Sequence, residues 1–173
     1  MLRILSLIIS ILLVGFGIVF LFGYNSPKEY KNSISFEAPY TLDMTWRQLV
    51  DVNEMPKRKG DVQSVEIIEE FGKLVAWREN LKTGGYRIYR MNQRIENQKL
   101  ILELTESSYG LKGIWVFDLS KVENHTWVVV SEESTLTNTL VRGYRAIIGR
   151  EHDLLVWQKY IKVGLVQALL TTP

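Results

Sequence analysis

The sequence predicts an α+β protein in which one transmembrane helix precedes a domain made of a curved seven-stranded antiparallel sheet wrapped around a long carboxy-terminal helix. Three observations indicate this class. The chain opens on a long uncharged apolar run, continues as short β-branched and aromatic runs separated by turn residues, and ends on an apolar stripe at helical spacing. With 173 residues, 46% of them hydrophobic, the chain suffices for one compact domain and an appendage.

Charge and cysteine content narrow the classes of function. The chain has 21 Lys and Arg against 19 Asp and Glu, a net charge of +2, and no block of basic residues. We therefore expect no nucleic-acid partner. Because the chain contains no cysteine, disulfides, thiol nucleophiles and thiolate metal sites are excluded, but the cellular compartment is left open.

The first element is an apolar run from Ile4 to Phe22 without a charged side chain. A helix of this length spans roughly 29 Å at about 1.5 Å per residue, which matches the hydrocarbon core of a bilayer. We predict a single-pass anchor over residues 1–24 that crosses the membrane with residues 4–22. A cleaved signal peptide is the alternative, but its apolar region is usually shorter and precedes a small-residue cleavage site. The short amino-terminal tail favours an extracytoplasmic domain.

A polar, turn-rich linker over 25–32 is predicted to join the anchor to a domain over 33–170. The alternation in "SISFEA" predicts a half-buried first strand, and "YTLDMTWRQLVDV" predicts a helix that is broken at Pro56. After Gly60, short turns separate six further strands, which predicts an antiparallel meander. These strands are "VQSVEIIEEF", "KLVAWREN", "GYRIYRMNQRI", "KLILELTESS", "LKGIWVFDLS" and "HTWVVVSEES".

The last element is a long amphipathic helix from Asn138 onward, in which Gly149 and the polar stretch 151–153 mark a kink or a second start. Because a strongly twisted sheet curls, this helix is expected to cover its concave face. A curved sheet cannot touch a straight helix everywhere, so we predict a ligand cavity between them. The predicted inward stripe comprises Leu140, Tyr144, Ile147, Leu154, Ile161, Leu165 and Ala168.

The order of these motifs resembles the START-like (SRPBCC) superfamily, and within it the polyketide cyclase/dehydrase-type proteins. The resemblance is carried by a strand followed by Ala38-Pro39, a helix bearing Trp46, the break over 51–56 before "VQSVEI", and "GIWVFDLS" with Gly113 and Trp115. It covers about 33–170. It implies a helix-grip fold and an apolar ligand such as a lipid, a polyketide or a quinone.

The resemblance also implies that Trp115 and Phe117 face the helix and line the cavity. Trp127 on the next strand shares that side only if the connecting loop has an odd number of residues. Packing in a core without a cavity is the alternative for all these aromatic side chains. We predict a ligand site formed by Trp77, Glu79, Tyr89, Met91, Leu102, Trp115, Phe117, Trp127, Tyr144 and Ile148.

Residues with catalytic potential are few. Glu79 and Glu106 extend apolar faces of their strands, and a carboxylate in an apolar cavity can act as an acid or a base. Exposure at the strand ends is the alternative for both. We find no spacing typical of a metal site and no phosphate-binding loop, so we predict no metal and no cofactor.

Three functions are compatible with these observations. The first is a membrane-anchored module that binds a hydrophobic small molecule or lipid for transport, sequestration or sensing. The second is a cyclase/dehydrase-type enzyme in which Glu79 or Glu106 moves protons. The third is a packed interaction domain with no ligand.

Overall fold

The computed structural model describes residues 2–171, and the side chains of residues 3–163. It confirms the predicted fold class: an N-terminal apolar helix, a seven-stranded antiparallel sheet and C-terminal helices. The helices are α1 (Leu2–Asn25), α2 (Leu42–Val50), α3 (Met55–Arg58), α4 (Thr139–Ile148) and α5 (His152–Thr171). The strands are β1 (Glu29–Ala38), β2 (Val62–Phe71), β3 (Leu74–Leu81), β4 (Tyr86–Ile95), β5 (Lys99–Ser107), β6 (Leu111–Val122) and β7 (His125–Leu136).

The sheet is a meander whose first strand closes onto its last, in the order β1-β7-β6-β5-β4-β3-β2. All neighbouring strands are antiparallel, as the short connections predict. Strand β1 begins at Glu29 rather than Ser33, and Glu29 pairs with Thr135. The end of the predicted linker is therefore part of the sheet.

The β6–β7 hairpin sets which aromatic side chains face inward. Val122 pairs directly with His125, so the loop has two residues, and Glu123 has a φ of 51° that this tight turn requires. A loop with an even number of residues places Trp115 and Trp127 on opposite faces of the sheet. Trp115 is therefore buried, while Trp127 is 41% exposed on the outer face. The prediction that Trp127 lines the cavity is therefore wrong.

The C-terminal region forms two helices and not one. Gly149 adopts a φ of 114°, which a side chain would strain, and it ends α4 before α5 begins at His152. Leu154 and Ile161 of the predicted stripe are buried, as expected, but Leu140, Tyr144 and Ile147 are 37%, 57% and 56% exposed. Leu165 and Ala168 lie outside the described side chains.

Candidate functional site

The space between the sheet and α5 is filled by aromatic side chains, which we call the aromatic cluster. Trp157 of α5 packs edge-on against Phe117 and Tyr89, with ring centroids 5.0 and 6.3 Å apart. Such edge-to-face pairs are favourable beyond the area that they bury. The cluster comprises Trp77, Tyr89, Trp115, Phe117, Trp157 and Tyr160, all at most 4% exposed.

A lysine side chain is enclosed by this cluster. The Nζ atom of Lys59 lies 4.0 Å from the ring centroid of Trp157 and donates a 2.8 Å hydrogen bond to Oε1 of Glu79. Burial lowers the pKa of Lys59, although the adjacent Glu79 carboxylate opposes this effect. The cation is thus held by a carboxylate and by aromatic faces.

Glu79 points inward and is fully buried. Besides Lys59, its carboxylate contacts Arg87, whose Nη2 atom lies 2.9 Å from Oε2 of Glu79 and 2.7 Å from Oδ2 of Asp61. Burial alone would raise the pKa of Asp61, but the charges of Arg87 and Lys59 lower it overall. The Glu79 carboxylate therefore contacts two basic side chains, one at each oxygen.

Neither Lys59 nor Arg87 is among the site residues predicted from the sequence. For Arg87 a signal existed, since it precedes Tyr89 and Met91 on the inward side of β4. For Lys59 no local signal was present, because it lies just after the short helix α3, and its burial depends on Trp157.

An open cleft of about 630 Å³ lies between one end of the concave sheet face and α4, and we call it the α4 cleft. Tyr144 and Ile148, two predicted site residues, line it together with other α4 side chains one helical turn apart. Its apolar wall is formed by Leu81, Tyr109, Leu111, Leu136, Leu140, Val141, Tyr144 and Ile148, and its polar end by Asp61, Arg87, Arg145, His152 and Asp153.

Arg145 organises the polar end of the α4 cleft. Its Nη2 atom donates to both carboxylate oxygens of buried Glu132, at 2.8 and 2.9 Å, and its Nη1 atom lies 2.8 Å from Oδ2 of Asp153. Burial raises the pKa of Glu132, although hydrogen bonds from Ser134 and Arg145 oppose this effect. The arginine and its two carboxylates tie β7 and α4 to the start of α5.

Most of the other predicted site residues belong to the packed core. Trp77, Tyr89, Leu102, Trp115 and Phe117 are at most 3% exposed, and the aromatic ones pack against each other or against α5. Met91 is likewise buried and borders a shallow surface pocket of about 140 Å³ behind β3. We therefore assign these side chains to the core and not to the wall of the α4 cleft.

Glu106 does not face the interior. Ile88 pairs with Glu106 while the next residue of β4, Tyr89, pairs with Leu104, so one extra residue bulges out of β5. The bulge turns Glu106 to the outer face, where it accepts a hydrogen bond from the hydroxyl of Tyr86. Of the two alternatives for Glu106, exposure is therefore the one observed, and the inward direction is wrong.

Helix α1 is long and apolar enough to span a membrane, since an 18-residue window within Arg3–Asn25 has a mean hydropathy of 3.0. Its C-terminal end packs directly on α4. A Cβ atom on Gly23 would lie 1.8 Å from the carbonyl oxygen of Thr139, and one on Gly143 would lie 1.9 Å from that of Val19. Only glycine at both positions permits this approach of the two backbones.

Buried Arg142 adds hydrogen bonds to the contact between α1 and α4. Its Nε atom donates a 2.9 Å hydrogen bond to the carbonyl oxygen of Gly23, one of the last carbonyls of α1, and its Nη1 atom donates to the carbonyl oxygen of Thr137 at 2.9 Å. Since helix ends leave carbonyl groups without intrahelical partners, this bond caps α1 from within the domain.

Among the side chains that the structure describes, no group of three or more His, Asp or Glu residues is arranged to hold a metal ion.

The fold is that of START-like proteins. A START superfamily protein from Mycobacterium smegmatis superposes with a TM-score of 0.66 at 15% identity, covering 81% of this chain and 99% of that one. The Zhui aromatase/cyclase from a Streptomyces species has a TM-score of 0.66 at 11% identity, covering 83% and 97%. A protein from Thermus thermophilus has a TM-score of 0.65 at 13% identity, covering 83% and 99%.

No protein-family model matches the sequence, and no curated protein matches it either. At these identities the solved structures establish the START-like fold, as the sequence resemblance predicts.

Proposed function

We propose that this protein is a membrane-anchored module that binds a hydrophobic small molecule in the α4 cleft. The observation that carries the proposal is the cleft itself, whose volume of about 630 Å³ lies within the range of about 300–1,000 Å³ typical of ligand pockets. Its wall is mostly aliphatic and aromatic, and the charged residues that line it are engaged in ion pairs. Such a lining fits an apolar molecule with a small polar group.

The charges at the polar end favour an uncharged polar group on the ligand. Arg87 is paired with Asp61 and Glu79, and Arg145 is paired with Glu132 and Asp153. Both guanidinium groups are thus already compensated. A hydroxyl or carbonyl group can accept hydrogen bonds there without adding a buried charge.

The sequence predicts the site beneath one long helix from Asn138 onward, and the proposed site lies beneath only its first part, α4. The aromatic cluster fills the space beneath α5, whereas the α4 cleft opens beside the helix break at Gly149. Tyr144 and Ile148 remain proposed ligand-binding residues, and the wall formed by Leu111 and Leu136 is added to them. The START superfamily and aromatase/cyclase proteins of the same fold support a small-molecule site.

Anchoring is the second part of the proposal. Helix α1 would cross the bilayer with residues 4–22 and keep the domain on the extracytoplasmic side. The predicted domain range of 33–170 is extended to Glu29, where β1 begins. Because the chain lacks cysteine, Ser120→Cys provides a single thiol for testing the orientation. A membrane-impermeant maleimide should label this variant in intact cells, and labelling only after lysis would place the domain in the cytoplasm.

Ligand binding is tested with full-length protein in detergent micelles, incubated with an extract of mixed membrane lipids and quinones and examined by native mass spectrometry. We expect a bound molecule of a few hundred daltons. Val141→Trp should abolish this adduct because the larger ring fills the α4 cleft. Ala146→Trp, on the same helix but outside the cleft lining, should retain it. No adduct on the unmodified chain, or equal adducts on all three, would refute the proposed site.

A further inference from the structure

Helix α4 has its polar and apolar faces reversed relative to a surface helix of a water-soluble domain. Its two charged residues, Arg142 and Arg145, are each only 4% exposed, whereas Leu140, Tyr144 and Ile147 are 37–57% exposed. In water this arrangement would place an apolar face in contact with solvent. The exposed face therefore indicates a non-aqueous neighbour.

The position of α4 along α1 identifies that neighbour. Gly143 is in backbone contact with Val19, and Val19 lies inside the apolar run that ends at Phe22. At about 1.5 Å per residue, Val19 lies roughly 4–5 Å deeper along α1 than Phe22 does. If α1 spans the bilayer, as the proposed function requires, α4 cannot be far from the lipid.

Two exposed tyrosines support the same position of α4 relative to the membrane. Tyr24, two residues after the end of the apolar run, is 73% exposed, and Tyr144, directly after Gly143, is 57% exposed. Tyrosine is enriched at the boundary between acyl chains and headgroups, since its ring is apolar and its hydroxyl is polar. Both rings are placed where such a boundary would meet the α1–α4 contact.

From these relationships we infer that α4 lies in the bilayer interface beside α1, with Tyr144, Ala146 and Ile147 in contact with lipid, so that the α4 cleft opens towards the membrane. Leu140 and Tyr144 belong to both the exposed face and the cleft wall. An apolar molecule dissolved in the bilayer would thus enter the cleft along α4 without crossing water. The inference rests on the proposed anchoring by α1, and it adds the route of entry and a lipid-facing surface.

Single-cysteine variants of the full-length protein test this arrangement, because the unmodified chain has no cysteine. Ile147→Cys and Ala146→Cys probe the exposed face, and neither residue lines the cleft. Ser120→Cys is the control, near the far end of β6 and exposed. Ser120 pairs with Trp127, which lies about 30 Å along β7 from Leu136 at the α4 end, at about 3.3 Å per residue. Each variant is labelled with an environment-sensitive fluorophore and reconstituted into phosphatidylcholine–phosphatidylglycerol vesicles that contain doxyl-labelled phosphatidylcholine.

We expect blue-shifted emission at positions 146 and 147 and quenching by the doxyl lipid at least about twofold stronger than at position 120, as for an interfacial helix. Emission at positions 146 and 147 that matches the water-exposed control would overturn the inference. A blue shift without doxyl quenching would also overturn it, and would indicate that a protein and not lipid covers α4.

Two separate measurements distinguish failure of this inference from failure of the proposed function. Extraction of the protein from vesicles by alkaline carbonate would show that α1 does not anchor it. An absent ligand adduct combined with strong lipid quenching would contradict binding in the cleft but support the membrane position of α4.

Discussion

Gly143 and Val19 bring the domain and the apolar helix into backbone contact, because a Cβ atom on Gly143 would lie 1.9 Å from the carbonyl oxygen of Val19. The contact makes the end of α1 part of the folded domain and not a flexible tether. Arg142 adds a hydrogen bond to the carbonyl oxygen of Gly23 within the same contact.

The first prediction concerns this contact. Gly143→Ala should lower the unfolding midpoint in detergent micelles, although alanine favours a helix by roughly 0.5–1 kcal/mol over glycine. The added methyl group must displace backbone atoms, and overpacking of this kind typically costs about 1–3 kcal/mol. Gly15→Ala is the matched control, since a Cβ at Gly15 has no atom within 4 Å. Equal midpoints for the two variants would contradict the contact.

The second prediction compares two tryptophans. Trp157 is 4% exposed at the centre of the aromatic cluster, whereas Trp127 is 41% exposed on the outer face. Trp157→Ala should reduce the free energy of unfolding by about 3–5 kcal/mol, and Trp127→Ala by less than about 1 kcal/mol. Urea unfolding followed by far-UV circular dichroism measures both. A larger loss at Trp127 would mean that the outer face is covered by something that stabilises the fold.

The third prediction concerns the buried carboxylate. Glu79→Gln leaves Lys59 and Arg87 without their shared anion, so the free energy of unfolding should fall by about 3–5 kcal/mol. Glu69→Gln removes a partner of Arg90 at 3.6 Å on the exposed surface, and its effect should be at most about 1 kcal/mol. If Glu79→Gln unfolds at the same urea concentration as Glu69→Gln, the buried network does not hold the core together.

The fourth prediction is a pH dependence. Because burial lowers the pKa of Lys59 from its usual 10.5, the unfolded chain binds more protons than the folded one between the lowered value and 10.5. The free energy of unfolding should therefore rise with pH across this window.

Urea midpoints at about pH 8 and about pH 10 measure this rise, and it should be smaller in Lys59→Met, which removes the titrating group. The same rise in both proteins would assign the effect to other groups.

The sheet was predictable because its signals are local. Alternation in "SISFEA" and the short turns between the later strands are sufficient to predict the meander, and the inward direction of Trp77 and Glu79 follows from the same period of two. The exceptions arise where one residue changes the register. The bulge opposite Ile88 turns Glu106 outward, and the two-residue loop after Val122 sends Trp127 to the outer face.

The candidate site was less predictable because it depends on contacts between distant segments. Leu140, Tyr144 and Ile147 have the spacing of a buried stripe, and nothing in that spacing distinguishes a protein core from another apolar surrounding. Tyr144 and Ile148, expected in a ligand site, line the α4 cleft. The cavity was expected beneath one helix from Asn138 onward, but the Trp157 side chain fills the space beneath α5, and the cleft lies beneath α4.

Lys59 occupies the place in the centre of the helix-grip fold where a ligand could have been held. Its ammonium group lies among the rings of Tyr89, Trp157 and Tyr160, so the centre of the domain serves its stability. If the α4 cleft binds a ligand as proposed, its selectivity depends on side chains beside Gly149, which can be exchanged during evolution without disrupting the interior.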